Sequence, residues 1–297
     1  MGKRCSQLIN IVNLSFFQIK IISFGFLNKS IFYILFFLIS ISSYSQVREF
    51  GFFAGGTYYT GELNRSHMSQ VDYSLGAIFK KDFLNERVSL RFQLMYNSVK
   101  GSDAKTGLPD QVKRNLAFRS TVLEFGPVFE IDFFKFKPGQ SNPELSSFGT
   151  PYFLLGINYM KMNPKAQYNG EWLELQPLMT EGQDKPYSLN QIVIPFGLGV
   201  KVNFSPNTVL SIEYGIRKTF TDYLDDVSGV YANPDELSSL SADLADRTNY
   251  GELYQPEGIN GTSYGLQRGN PTDKDWYSVF GFILTYQFIN KSTCPSW

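Results

Sequence analysis

Alternation of apolar and polar side chains near the end of the chain indicates its fold. From Trp276 to Phe288, mostly apolar residues occupy every second position, while smaller or more polar residues such as Thr285 and Gln287 lie between them. Successive side chains of a β-strand point to opposite faces, so this pattern predicts a strand with one apolar face. The run is long enough for a membrane-spanning strand, which needs about 9–11 tilted residues. Aromatic residues near both ends are typical of strands that meet the two membrane interfaces.

The same alternation recurs along the chain after Gln46. We predict eight strands, at about 47–59, 73–81, 87–97, 116–133, 151–161, 189–204, 208–218 and 276–288. In the fourth strand, Leu123 and Phe125 lie on the apolar face and Glu124 lies on the other. Arg119 interrupts this pattern, which predicts either a β-bulge nearby or a position above the bilayer.

The connections between these strands alternate in length. The links 82–86 and 205–207 are short turns, and the link at 134–150 is intermediate. The remaining connections are longer, at 61–72, 98–115, 162–188 and 219–275. Outer-membrane barrels have this asymmetry, with short turns in the periplasm and long loops outside the cell. Leucines at helical intervals predict a short helix at 235–246 within the longest loop.

Together these patterns predict an all-β fold, a closed antiparallel transmembrane β-barrel of about eight strands with long extracellular loops. Closure is required because a sheet edge in lipid would leave backbone N–H and C=O groups without hydrogen bonds. Side chains roughly fill the lumen of an eight-stranded barrel, so an open solute pore is not expected. Four inward charges are predicted to pair there as a structural network: Arg91, Glu124, Glu213 and Arg217. The alternative is that some of them lie at the watery rim.

Composition agrees with an exported membrane barrel. The chain of 297 residues contains 27 Phe and 18 Tyr, which suits the aromatic girdles of such barrels. Residues 1–45 have the pattern of a secretory leader cleaved before Gln46, with an uncleaved membrane anchor as the alternative. Without that leader, 23 basic residues face 27 acidic ones, because Lys3, Arg4, Lys20 and Lys29 are lost. A mildly acidic mature chain argues against a nucleic-acid partner.

The predicted organisation is therefore a leader at 1–45, a barrel at 46–289 and a tail at 290–297. Cys5 lies in the leader and Cys294 in the tail. The barrel segment therefore contains no cysteine, and no disulfide is predicted within it.

The motifs give no case for catalysis, and we predict no enzyme, cofactor or metal. His67, the one histidine, lacks a paired base or an oxyanion motif. Asp222, Asp225 and Asp226 could bind Ca²⁺ through oxygen ligands, but their spacing does not match the helix-flanked calcium loop. Turn and capping roles are commoner for such residues. We therefore predict that they meet Arg268 or Lys274, on the return limb of the same loop, in a structural cap over the barrel mouth.

Four short segments carry a family resemblance. They are Gly-Gly-Thr-Tyr-Tyr-Thr-Gly-Glu-Leu-Asn at 55–64, Thr-Asp-Tyr-Leu-Asp-Asp-Val-Ser-Gly-Val-Tyr at 221–231, Arg-Gly-Asn at 268–270, and Asp-Trp-Tyr at 275–277. With these segments the chain resembles the PorG-like outer-membrane barrel family of the Bacteroidetes type IX secretion system, over nearly all of 47–288. The resemblance implies a barrel that tethers the periplasmic ring of the secretion machine to the outer membrane. It brings no catalytic residues.

We therefore expect a non-enzymatic barrel in the Gram-negative outer membrane that contacts lipid and anchors periplasmic ring subunits of a type IX-like secretion apparatus. The turn 134–150 is the expected contact, since the apolar side chains of Phe136, Leu145 and Phe148 need a partner or must fold back on the barrel. One alternative is a small transport or adhesion barrel that binds ligands through its long outer loops. Another is a lipid-modifying enzyme.

Overall fold

The described part of the protein is one antiparallel sheet with short helices in its loops. The computed structural model describes residues 48–83, 87–139, 147–249 and 256–288. The strands are β1 (Arg48–Thr60), β2 (Asp72–Phe83), β3 (Val88–Ser102), β4 (Ala117–Asp132), β5 (Gly149–Gly156), β6 (Asn158–Tyr168), β7 (Glu171–Glu174), β8 (Asn190–Ser205), β9 (Thr208–Lys218) and β10 (Trp276–Phe288). The α-helices are α1 (Pro109–Arg114) and α2 (Ser239–Ala245). The predicted leader and tail lie outside the described residues.

Strand pairing closes this sheet into a barrel. The strands follow the order β3-β2-β1-β10-β9-β8-β5-β4, and β4 also pairs with β3, so the two edges of the sheet meet. β5 and β6 form one wall strand, because both pair with β4 on one side and β8 on the other. The wall therefore has eight strands, which confirms the predicted closed antiparallel barrel. Closure gives each edge a partner, as hydrocarbon surroundings require.

The fifth wall strand is longer than predicted and is interrupted. The prediction was one strand at 151–161, whereas the structure extends it over 149–168 and breaks it at Ile157. Pro127 on β4 and Pro195 on β8 flank the break, as the registers of the neighbouring residues show. Neither proline has an N–H to donate to the ladder, although the Ile157 N–H still donates to the Pro127 carbonyl at 3.2 Å.

The outward face of the barrel is apolar. In β10, Phe282, Leu284 and Phe288 are exposed, while the intervening Ile283 and Thr285 are buried, as the alternation predicted. Exposed apolar side chains continue around the wall, including Phe52, Leu75, Leu94, Phe125, Leu155, Leu198 and Ile212. An apolar surface of this extent on a closed barrel is the face that contacts lipid.

Arg119 is accommodated without a bulge. The register between β3 and β4 continues without a shift from Val88 to Ser102. The Arg119 guanidinium instead forms an ion pair of 3.5 Å with Asp72 near the long-loop end of the wall. This arrangement corresponds to the second alternative, a position towards the outer edge of the wall.

The two ends of the barrel differ as predicted, with short turns at one end and long loops at the other. One long loop contains a hairpin that was not predicted, in which Asn169 and Gly170 connect β6 to β7. Both residues have positive φ, at 49° and 89°, as a two-residue type I′ turn requires. The Asn-Gly pair is itself a hairpin signal, so the sequence contained the information needed to predict β7.

The helix predicted at 235–246 is present but shorter. A 3₁₀ turn at Pro234–Glu236 precedes α2. Helix α2 begins after Ser238, whose side chain accepts a hydrogen bond from the N–H of Ser241. Within the described ranges, no helix combines the length and the apolar character needed to cross a membrane.

Cysteine labelling tests the orientation of the barrel. In a Cys294→Ser background, cysteines at Lys105 and Glu171 lie at the long-loop end and should react with a membrane-impermeant maleimide on intact cells. A cysteine at Arg87, an exposed position at the short-turn end, should react only after the outer membrane is opened. The reverse labelling pattern would show that the long loops face the periplasm.

Candidate functional site: a filled lumen and an outer cap

A charged layer fills the short-turn half of the lumen. At its centre, the Arg91 guanidinium binds both carboxylate oxygens of Glu213, at 2.6 and 2.9 Å, and an oxygen of Glu130 at 3.1 Å. Tyr152 also donates to Glu213, at 2.9 Å. Because β3 and β9 lie on opposite sides of the closed wall, the Arg91–Glu213 pair spans the lumen.

Glu130 extends this layer to further cations. Its carboxylate lies 3.4 Å from the Lys80 ammonium and 3.3 Å from the Lys201 ammonium. Lys80 also pairs with Glu49 at 3.3 Å, and Lys201 with Asp132 at 2.8 Å. The predicted network omitted both lysines, although each occupies an inward position in the alternation of its strand. The alternation of inward and outward positions in each strand could therefore have identified the two lysines as lumen residues.

A second buried pair lies nearer the long-loop end. Nε of Arg217 is 3.5 Å from Oε2 of Glu124, and Nη1 of Arg217 donates to the carbonyl of Gly215 at 2.7 Å. Tyr277 donates to Glu124 at 2.9 Å. The structure thus places the four predicted lumen charges in two pairs, Arg91 with Glu213 and Arg217 with Glu124. All four side chains are buried rather than at a watery rim.

An apolar layer fills the outer half of the lumen. Inward residues of the wall pack there in one buried cluster that includes Phe53, Ile78, Met95, Val122, Met160, Val193 and Ile283. Leu224 and Val227 join this cluster from the loop that follows β9, and Leu63 joins it from the loop that follows β1. Loop side chains therefore close the outer mouth of the barrel.

The short-turn end does not present the three apolar residues as predicted. Phe136 is buried, at 3% exposure, and its ring lies 5.3 Å from the Lys201 ammonium, so its assignment as a partner contact was wrong. Instead it folds back against the charged layer, where a ring face can neighbour a cation. Phe148 is 72% exposed. Leu145 lies outside the described residues.

The loop 219–275 folds over the outer mouth, and we call its described part, 219–249 and 256–275, the outer cap. Arg268 is the buried centre of the cap. Its guanidinium donates to Glu181 at 2.9 Å, to the carbonyl of Asp226 at 2.5 Å and to the carbonyl of Ala245 at 3.1 Å. Its other nitrogen lies 3.7 Å from the Asp226 carboxylate. Burial raises the pKa of Asp226 to about 6, and Arg268 opposes that rise.

Asp222 and Asp225 do not join Arg268 but lie in a separate acidic cluster with Glu62 and Asp275. The Tyr59 hydroxyl contacts three of these carboxylates, Asp225 at 2.5 Å, Asp275 at 2.9 Å and Glu62 at 3.4 Å. Burial raises the pKa of each of the four carboxyl groups. Repulsion from Glu62 also raises the pKa of Asp225 and Asp275. The cluster therefore favours either bound protons or a bound cation. This cluster was not predicted from the sequence, because its members come from three distant segments.

The remaining features of the outer end are His67 and an open cleft. His67 is exposed, with Nδ1 3.4 Å from the Tyr58 hydroxyl. The cleft has a volume of about 530 Å³, and its lining includes Arg65, Lys113 and Arg114. Much of its remaining lining belongs to the outer cap, including Tyr231, Leu266 and Asn270.

The closed wall, the lipid-facing exterior and the asymmetric ends define this chain as an outer-membrane β-barrel protein. It belongs to the family described as Domain of unknown function (DUF6089), whose profile matches residues 28–251. No curated protein matches the chain.

Similar solved structures include outer-membrane proteins from three bacteria. The attachment invasion locus protein Ail of Yersinia pestis, in complex with the heparin analogue sucrose octasulfate, is 8% identical with a TM-score of 0.36, and the match covers 82% of this chain and 97% of Ail. OprG of Pseudomonas aeruginosa is 10% identical with a TM-score of 0.35, covering 82% and 95%. A major outer membrane protein of Thermus thermophilus is 11% identical with a TM-score of 0.36, covering 81% and 99%. Because these identities and TM-scores are low, we draw no conclusion about this protein from the similar structures.

Substitution of a buried lumen charge should destabilise the barrel. Arg217→Leu removes the partner of Glu124 and leaves a carboxylate buried without an ion pair. We expect a loss of about 3 kcal/mol in the free energy of unfolding, seen as a lower midpoint for loss of the heat-modifiable band on gels. The control is Arg119→Leu, which removes a 43% exposed guanidinium and should cost about 1 kcal/mol or less. Equal midpoints for the two variants would show that the Arg217–Glu124 pair does not stabilise the barrel.

Proposed function

We propose that this barrel is a non-enzymatic component of a type IX-like protein secretion apparatus and anchors periplasmic ring subunits to the outer membrane. The proposal combines the PorG-like resemblance of the segments at 55–64 and 221–231 with the character of the lumen. A charged layer and an apolar layer together fill the interior, and the outer cap covers its mouth. A filled barrel suits an anchor better than a solute channel.

The short-turn end offers apolar surface for a periplasmic partner. Phe148 and Phe134 are 72% and 54% exposed. In the adjoining strands β4 and β5, even-numbered positions such as Asp132 and Thr150 face the lumen. Phe134 and Phe148 are also even-numbered, so continued alternation would point them into the lumen. The lipid-facing pattern therefore does not explain why the two rings are exposed. Exposed aromatic side chains outside the lipid-facing pattern favour a protein contact. This is the observation that carries the proposed anchoring role.

Phe148→Ser tests this contact against a matched control, Phe204→Ser. Phe204 is 70% exposed at the same end, but it lies on the lipid-facing side of β8. Both variants should insert as heat-modifiable barrels. Phe148→Ser should lower the recovery of ring subunits from detergent-solubilised outer membrane, and the export of type IX cargo, by about tenfold, because truncating an interface anchor costs more than about 1 kcal/mol. Phe204→Ser should change neither.

Two results would contradict the proposal in different ways. Normal ring recovery and export with Phe148→Ser would exclude this contact but leave anchoring through another periplasmic element. A wild-type preparation that retains no ring subunit would contradict the anchoring role itself.

The second candidate function is a transport or adhesion barrel that acts through its outer loops. The open cleft favours it, because Arg65 and Lys113 there could bind an anionic ligand. Reduced ligand or cell binding by Lys113→Ala, together with normal cargo export, would support this candidate over the secretion role.

A further inference from the structure

Three carboxylates from distant segments converge at the rim of the barrel. Glu62 follows β1, Asp222 follows β9 and Asp275 precedes β10, and these strands are neighbours in the wall. One carboxylate oxygen from each residue lies within 4.8 Å of the other two. Oxygen ligands of Ca²⁺ lie about 2.3–2.6 Å from the ion, so two of them can be at most about 5 Å apart. The spacing of the three carboxylates therefore fits a shared calcium ion.

The Asp222 side chain indicates that this convergence is a binding site. Asp222 is only 3% exposed, and in the part of the chain that the structure describes neither of its carboxylate oxygens accepts a hydrogen bond. Burial disfavours its charge, and the nearby Ser228 and Lys274 only partly offset that effect. A buried carboxylate with so little compensation carries a large desolvation penalty. Its carboxylate also lies close to those of Glu62 and Asp275. The negative charges of the three groups repel one another unless a cation lies between them.

The positive groups nearest this site are already engaged with other partners. Arg114 forms a two-pronged pair with Asp103, with two contacts of 2.8 Å, and donates to the carbonyl of Arg268 at 2.7 Å. The Lys274 ammonium donates to the carbonyl of Pro271 at 2.8 Å. The Tyr59 hydroxyl has a single proton and so cannot donate to all of the carboxylates around it. Negative charge is therefore in excess at the rim.

We propose that Glu62, Asp222 and Asp275 bind a Ca²⁺ ion that ties the outer cap to the barrel wall. The ligands are all carboxylate oxygens, which suit a hard cation rather than a transition metal. They come from three separate segments, and Ca²⁺ tolerates irregular coordination better than Mg²⁺, which demands near-ideal octahedral geometry. At the extracellular face, affinity in the range of extracellular calcium modules, about 0.1–1 mM, would be sufficient. The proposal is independent of the secretion role.

Calorimetric titration and thermal unfolding of the full-length folded barrel in detergent test this site. After treatment with EGTA, CaCl₂ should bind with one ion per barrel and raise the unfolding midpoint by several degrees. MgCl₂ at equal ionic strength should raise the midpoint much less. Equal effects of the two salts would indicate screening alone and would overturn the calcium site, as would the absence of calcium binding at about 10 mM.

Asp222→Asn distinguishes the loss of a calcium ligand from a general loss of stability in the cap. The variant should lose at least about tenfold in calcium affinity, since a charged ligand is removed. Without calcium it should unfold at a higher temperature than the wild type, because one of the repelling charges has gone. The control is Asp235→Asn in the same loop, whose exposed side chain lies outside the site; it should bind calcium as the wild type does. Unchanged calcium affinity in Asp222→Asn would overturn the proposal.

Discussion

The constraint on which the rest of this structure depends is the satisfaction of backbone polar groups in lipid. Hydrocarbon offers no hydrogen-bond partners, so the sheet must close, and here the pairing of β3 with β4 completes the ring. Closure with eight wall strands leaves an interior that side chains can fill. The inward positions therefore determine whether the barrel is a channel or a solid body, and in this chain they are large and mutually paired.

The pairing of the interior charges also depends on strand register. Arg91 on β3 reaches Glu213 on β9 and Glu130 on β4, so three strands must be correctly aligned for one guanidinium. A slip of one residue in any of these strands would exchange the inward and outward side chains and expose a charge to lipid. Buried ion pairs are weak contributors to net stability, but the loss of a single partner is costly. We infer that the charged layer specifies the register of the barrel more than it adds to its stability.

Features governed by a period of two could be predicted from the sequence. Side chains of a strand point alternately outward and inward. This alternation alone predicts the exposed Phe282 and Leu284 and the inward charges Arg91 and Glu213. Contacts that depend on loop folding could not be predicted in this way. Phe136 lies beyond the end of β4, and its buried ring neighbours the Lys201 ammonium, a contact that the alternation within a strand does not specify. The acidic cluster likewise joins segments that are far apart in the sequence, and only the adjacency of β1, β10 and β9 in the closed wall brings them together.

Because side chains fill the interior and the wall faces lipid, the two ends of the barrel are the surfaces open to water. These two ends differ chemically. The outer end is organised by charge, with Arg268 buried among carbonyl and carboxylate oxygens and the acidic cluster beside it. The short-turn end instead exposes aromatic rings, with Phe148 among the most exposed apolar residues of the chain. A folded loop held by charge suits a structural closure that bound ions can stabilise. Exposed aromatic rings at the other end suit a contact with another protein. A partner on the periplasmic side would meet Phe148 at the end of a connection whose first residues are held to the charged layer through Phe136.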